Sequence, residues 1–308
     1  MIKQTIHLLT FKKIKRLLGR LKVNKNICVV GAGYWGRNHI KTLTKLSALR
    51  GIVETDKNTL SSYLDSYADI KGHSCIEEAI LEDFDGYTIA TPAKTHFKIA
   101  KTIIQARKSV LIEKPMVLSI DEAKELVDLA AKNEVNAMVG HVLLFHPAMT
   151  KIKNMIDQGE IGEFQYIYSN RLNLGKVRTE ENVFWSLAPH DVAIFQYLTD
   201  SIPTKIHSTG STFLQKGIAD STMTQLEYEN GIKGHIFVSW LHPFKEHRLV
   251  LVGDKGMLSF EDSHPDKPLI FYDKRIDFVE GQPVEHHGES EQISYAQKMP
   301  LSEEQAHF

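Results

Sequence analysis

A short apolar run, Asn26-Ile27-Cys28-Val29-Val30, ends in Gly31-Ala32-Gly33-Tyr34-Trp35-Gly36. A strand meeting G-x-G-x-x-G and then a helical stretch, here 35–46, constrains this chain more than any other feature. Gly31 permits the tight turn, Gly33 lets the main chain approach a pyrophosphate, and Gly36 lets the helix pack on the strand. The helix start then offers unpaired N–H groups and the positive end of its dipole to phosphate oxygens. A second strand, 49–53, ends at Glu54, 21 residues after Gly33. A carboxylate there accepts hydrogen bonds from ribose hydroxyls and repels a 2′-phosphate, which favours NAD over NADP. A solvated strand end is the plainer alternative for Glu54, and Asp56 is the second acid within reach.

The pattern continues with helices over 60–67, 76–81, 97–106 and 120–133, alternating with strands over 72–74, 86–90, 109–112 and 135–139. Ala123, Leu126, Val127 and Ala130 form the expected apolar face of the last helix. Such alternation implies an N-terminal Rossmann-type, doubly wound parallel sheet. Ligands of these sheets sit at the carboxyl ends of the strands. Thr91, Pro92, Glu113, Lys114 and His141 all fall there and should converge. From Gln165 the pattern changes to strands over 164–172, 204–213, 222–228, 232–240, 248–252 and 257–260, with turns such as Glu229-Asn230-Gly231. Consecutive strands with hairpin turns indicate a C-terminal open antiparallel sheet in an α+β domain. The expected organisation is therefore α/β plus α+β. Residues 1–24 form a basic extension, 25–145 the dinucleotide-binding domain, and 146–308 a substrate-binding and oligomerisation domain. An uncovered sheet face predicts a homodimer or homotetramer.

The balance of 37 basic and 38 acidic residues excludes a uniformly basic nucleic-acid binder. No apolar run reaches the roughly 20 residues that span a bilayer. Cys28 and Cys75 lie far apart, which argues against a disulfide framework or a CxxC metal site and for a reducing, cytoplasmic setting. No metal is expected. Eight basic residues precede Ile27, and no acid precedes Glu54. Apolar residues from Leu8 to Leu21 recur there at helical spacing, which fits a solvated or domain-packed basic helix, an anionic-surface contact or a targeting segment.

The glycine fingerprint, Ala90-Thr91-Pro92 with Thr95-His96, and Glu113-Lys114-Pro115 together resemble the Gfo/Idh/MocA family of sugar-handling dehydrogenases. The resemblance implies that Lys114 lies beside the nicotinamide and the reacting hydroxyl, that Glu113 contacts the nicotinamide ribose, and that Thr91, Pro92 and His96 line the cofactor. It also implies a frequent cis peptide at Pro115. The stretch Gly31 to His39, Gly140-His141, Phe145-His146-Pro147-Ala148, Trp185 to Asp191 and Ser239 to Lys245 are similar to one branch, the UDP-N-acetylglucosaminuronate 3-dehydrogenases. The implied activity is NAD-dependent oxidation of the C3 hydroxyl of a UDP-linked N-acetylaminouronic acid, for surface polysaccharides such as lipopolysaccharide. Other sugar or inositol dehydrogenases or ketoreductases, and a non-catalytic nucleotide-binding protein, are the alternatives.

His190, in Leu187-Ala188-Pro189-His190-Asp191, matches the family's catalytic histidine, and an imidazole suits proton transfer near neutral pH. The acid that family members often carry four residues earlier is Ser186 here. Arg171 and Asn173, two apart, share a strand face and suit a uronate, diphosphate or amide group, or else form a solvated edge. Asn182 and Trp185 are expected pocket walls, with plain core as the alternative for Trp185. Tyr34 and Trp35 either cover the pyrophosphate or pack beneath the loop. Ser302 to Phe308 reads as the start of a helix capped by Ser302. Family members continue past it, so a truncated or short form is expected.

Overall fold

The computed structural model describes residues 25–67 and 69–308. The basic segment at 1–24 lies outside the described residues. Strand β1 (Ile27–Val30) sends Ile27 and Val29 into one core and Cys28 and Val30 into another. A strand buried on both faces belongs at the centre of a parallel sheet. After it come α1 (Gly36–Lys45), β2 (Leu49–Val53), α2 (Lys57–Ser66), β3 (Lys71–His73), α3 (Ile76–Ala79), β4 (Gly86–Ile89), α4 (His96–Gln105), β5 (Ser109–Glu113), α5 (Ile120–Asn133) and β6 (Ala137–Gly140). The strands pair in parallel in the order β3-β2-β1-β4-β5-β6. That order reverses between β1 and β4, which opens the crevice where such sheets bind ligands.

Two local expectations need correction. Helix α2 begins three residues earlier than 60, because the Asp56 carboxylate accepts the Thr59 N–H at 2.8 Å and caps it. Asp56 is thus a helix cap. On α5, Leu126 and Ala130 are buried whereas Val127 stands exposed.

The second half comprises α6 (Pro147–Asp157), β7 (Phe164–Leu174), α7 (Val183–Leu187), α8 (Pro189–Thr199), β8 (Pro203–Ser211), β9 (Ser221–Tyr228), β10 (Lys233–Ser239), β11 (Leu241–Gly253), β12 (Met257–Glu261), β13 (Leu269–Val279), β14 (Gln282–Gln292) and α9 (Pro300–His307). Its strands lie in the order β14-β13-β12-β11-β7-β10-β9-β8. The sheet is mixed, because β7 and β10 run parallel. A parallel pair needs a long crossover, and the chain supplies one through α7, α8, β8 and β9. Helices α6 and α8 contribute Met149, Ile152 and Phe195 to a core shared with Ile167, Ile236 and Leu251 of the sheet. The opposite face presents Tyr166, Tyr168 and His235, with the Tyr168 and His235 rings stacked at 5.0 Å.

Helix α6 and the β13–β14 hairpin were not expected from the sequence. His146 caps α6 by accepting the Ala148 N–H at 3.2 Å, outside the usual Ser/Thr/Asp/Asn set. The hairpin turns on Glu280 and Gly281, both with positive φ, where Asn-Gly or Asp-Gly is the common signal. Helix α9 returns to pack on α1 and on the 3-10 turn at Val142–Phe145. Met299 occupies its N-cap position without a side-chain bond and Ser302 lies inside the helix, so the expected serine cap is absent. Phe308 packs beside the Ile27 and Leu43 core. Among the described residues no helix is long and apolar enough to cross a membrane.

Candidate active site

The glycine loop joins β1 to α1. Gly31 adopts φ +93°, and a Cβ there would lie 2.8 Å from Thr91 Cγ2. A Cβ on Gly36 would lie 1.9 Å from the Gly31 carbonyl oxygen, so α1 sits hard against the loop. A Cβ on Gly33 would meet nothing within 4 Å among the described residues, which leave the loop's outer side open. No side chain caps α1 and no acid stands in its first turn. An open glycine beside an uncapped helix start fits a pyrophosphate. Glu54 follows β2; its Oε2 accepts the Ala32 N–H at 2.9 Å and its Oε1 the Asp56 N–H at 3.0 Å. Its carboxylate is therefore held against the loop, where a ribose diol would meet it.

Tyr34 is 81% exposed, with the Arg37 guanidinium 5.7 Å from its ring centroid, so it does not pack beneath the loop. Trp35 turns inward, and its indole N–H donates to Glu113. Glu113, the last residue of β5, is buried. Its Oε1 also accepts from His39 Nε2 at 2.8 Å, and its Oε2 accepts the Lys114 N–H at 3.2 Å. The Lys114–Pro115 peptide is cis. His96 was expected to line the cofactor. It is buried instead, with Nδ1 2.9 Å from the Pro115 carbonyl and Nε2 2.8 Å from the Thr91 carbonyl. It braces the Thr91-Pro92 loop against the Glu113-Lys114-Pro115 turn. Thr91 accepts a hydrogen bond from the Thr95 hydroxyl at 2.8 Å, and Pro92 is exposed.

The Lys114 ammonium donates to the Ser186 carbonyl on α7 at 3.3 Å. Burial lowers its pKa, opposed by the charges of Glu113 and Glu181. His190, at the start of α8, has an Nδ1 that is buried without a partner among the described residues. Burial, followed by the positive charges of Arg171 and Lys114, holds its imidazole well below the usual histidine range. His141, just after β6, is lowered by burial against the pull of Glu113. Lys114, His141 and His190 are close enough for each charge to act on the next. The carboxyl ends of β5 and β6 therefore meet the start of α8.

Arg171 does not lie on a solvated edge. It is buried in β7, between β10 and β11, with Nε 2.7 Å from Asp191 Oδ2 and Nη2 3.0 Å from Asp191 Oδ1. Its Nη1 lies 3.4 Å from His247 Nδ1. Burial and the Arg171 charge press His247 down to about 4. A cavity of about 20 Å³ lies between Arg171, Asp191, His247 and Asp262, large enough for one water. Asn173 Oδ1 is buried without a partner among the described residues. Asn182 caps α7 by accepting the Trp185 N–H at 3.1 Å, and Trp185 is 56% exposed, which removes the plain-core alternative.

Sequence reasoning assigned no role to His39, Asp191, His247, Glu304 or Gln305. His39 and Asp191 stood inside quoted motifs, three residues after Gly36 and one after His190. A polar residue on the inward side of a helix was the available signal. Gln305 gave none, because 266 residues separate it from His39, to whose Nδ1 its amide donates at 2.7 Å.

A model described as oxidoreductase family, NAD-binding Rossmann fold (GFO_IDH_MocA) matches residues 25–141, and a GFO/IDH/MocA C-terminal domain model matches residues 149–259. A UDP-N-acetylglucosamine 3-dehydrogenase of Acidithiobacillus ferrooxidans is 27% identical over 213 residues, covering 68% of this chain and 66% of that protein, just under two thirds of its length. Its solved structure aligns over 92% of this chain and 87% of its own, with a TM-score of 0.79 at 23% identity. The scyllo-inositol 2-dehydrogenase (NAD(+)) of Bacillus subtilis is 27% identical over 192 residues, covering 58% of this chain and 56% of that protein. The WlbA dehydrogenase of Bordetella pertussis, solved with NADH and UDP-GlcNAcA, aligns over 80% of each chain with a TM-score of 0.69 at 19% identity. At these identities the two solved structures share the fold with this chain.

Proposed function

The chain belongs to the Gfo/Idh/MocA family of NAD-dependent oxidoreductases acting on CH–OH groups, and from that premise we propose that it oxidises the C3 hydroxyl of a UDP-linked N-acetylamino sugar. The observation that carries this reading is the meeting of Lys114, His190 and Glu113 at the strand ends, with the Lys114 ammonium aimed at the Ser186 carbonyl. The Acidithiobacillus relative and the WlbA complex support a nucleotide sugar; the inositol dehydrogenase supports a polyol.

NAD⁺, when bound, supplies the acceptor for the hydride that leaves C3 as the hydroxyl becomes a carbonyl. Gly31, Gly33 and the α1 N-terminus would hold its pyrophosphate, Glu54 the adenosine ribose, and Glu113 the second ribose. His190, kept neutral by burial and by the neighbouring cations, takes the hydroxyl proton. Lys114 donates a hydrogen bond to the hydroxyl oxygen and stabilises the charge that develops there. Asp191 fixes Arg171, whose positive charge acts on the His190 imidazole. With that guanidinium spent on Asp191, a uronate carboxylate has to find its cation elsewhere in the cleft. The face with Tyr166, Tyr168 and His235 pairs with a second copy of the chain in this reading.

The test is NADH formation by the full chain with UDP-N-acetylglucosamine, UDP-N-acetylglucosaminuronate, myo-inositol and scyllo-inositol, each with NAD⁺ and NADP⁺. Turnover is expected with NAD⁺ and one or both nucleotide sugars. Turnover with an inositol alone would overturn the substrate reading.

A further inference from the structure

Glu113 is held by donors from three directions, and one of them is itself held from the far end of the chain. A carboxylate offers roughly four lone-pair sites. Trp35 and His39 take two on Oε1 and the Lys114 N–H takes one on Oε2. One site on Oε2 is left for a ligand hydroxyl. His39 is fully buried. Its Nε2 faces the carboxylate and so carries the proton, and Nδ1, which meets an amide N–H, accepts. Gln305 on α9 supplies that N–H at 2.7 Å, and lies 3.4 Å from the Thr88 hydroxyl of β4.

We propose that Gln305 and His39 are positioning residues for the ribose on the nicotinamide side of the cofactor, acting through Glu113, which makes helix α9 a working part of the cofactor site. This rests on Glu113 being the acceptor for that ribose. Gln305 pairs the buried Nδ1 of the His39 tautomer that donates to Glu113, which holds the ring in place. Without it, Nδ1 is left buried and unpaired, the ring shifts from its place behind the carboxylate, and Glu113 swings off its ligand-facing direction.

ADP and ADP-ribose separate the two halves of the argument, because only ADP-ribose carries the second ribose. Calorimetric titration of the full chain should show wild type binding ADP-ribose more tightly than ADP. Gln305→Met keeps the volume and removes the donor. It should cut that preference about tenfold while leaving ADP affinity unchanged. Unchanged ADP binding also reports an intact fold. His39→Gln in the Gln305→Met background supplies an amide donor to Glu113 that does not depend on Gln305, and should restore the preference. Full preference in Gln305→Met would overturn the proposal. So would a loss that the double variant fails to repair, which would mark mere packing. A wild type that binds both ligands equally would instead overturn the ribose role of Glu113.

Discussion

The ammonium of Lys114 donates to the main-chain carbonyl of Ser186, four residues before His190, at 3.3 Å. A carbonyl orients an ammonium through its dipole but brings no full charge into the site. A carboxylate on the side chain of residue 186 would add a full negative charge and favour the charged forms of both Lys114 and His190. Ser186→Asp is therefore expected to move the acid limb of the kcat/KM pH profile upward by about one unit. A limb that stays where it was would show that residue 186 does not face the imidazole.

Lys114→Ala should remove most of the turnover. A lost donor to a developing alkoxide typically costs about 10²- to 10³-fold in kcat. The glycine loop and Glu54 are untouched by the change, so NAD⁺ should bind within about threefold of wild type. Steady-state rates alongside a direct NAD⁺ titration measure both. Near-native turnover would end the role given to Lys114.

His190 makes a claim about pH. Burial first, and then Arg171 and Lys114, hold its pKa well below the ordinary histidine value of 6.5. A base with a depressed pKa stays neutral and competent until the pH falls through that lower value. The kcat/KM of wild type should thus stay flat down through pH 6.5 and fall only in more acidic solution. His190→Asn should lose about 10²- to 10⁴-fold and show no such limb. A wild-type limb centred at or above the ordinary histidine value would contradict the burial of the imidazole.

Most of the first sheet was legible, because its strands are continuous apolar runs bounded by glycine and its helices carry 3.6-residue stripes. Glu54, Glu113 and Lys114 could be placed in advance because strand ends are fixed by local pattern. Roles that depend on distant chain were not legible. Arg171 on its strand face looked free until α8 brought Asp191 against it. His96 sat in a cofactor-lining motif, yet two carbonyls from separate loops claim its ring. The parallel pairing of β7 with β10 was hidden because every turn visible in the sequence was a hairpin turn.

Glu54 braces the loop and, in the proposed function, meets the adenosine ribose, so one substitution should change both affinity and selectivity. Glu54→Gln keeps the shape and removes the charge. The Ala32 and Asp56 N–H groups retain an acceptor in only part, because one side-chain atom becomes a donor. NAD⁺ affinity is expected to fall about tenfold, and the preference for NAD⁺ over NADP⁺ to shrink as the repulsion of a 2′-phosphate is lost. Competition titrations with the two coenzymes measure the ratio, and an unchanged ratio would remove Glu54 from coenzyme selection.

Glu304 on α9 is 0% exposed, and neither carboxyl oxygen has a hydrogen-bond partner among the described residues. Burial, aided by the negative charge of Glu113, pushes its pKa from 4.5 up to about 8. Below 4.5 the group is protonated whether the chain is folded or not, and above 8 it is ionised in both. Between those limits the folded chain binds a proton that the unfolded chain has released. Stability must therefore fall as pH rises through that window. Glu304→Gln carries no such proton, so it should match wild type in acid and exceed it at pH 8 by on the order of 4 kcal/mol. Urea midpoints for the two proteins at several pH values test this. Curves that stay parallel from acid to pH 9 would show that the Glu304 carboxyl is paired or solvated, and that α9 docks without a buried acid.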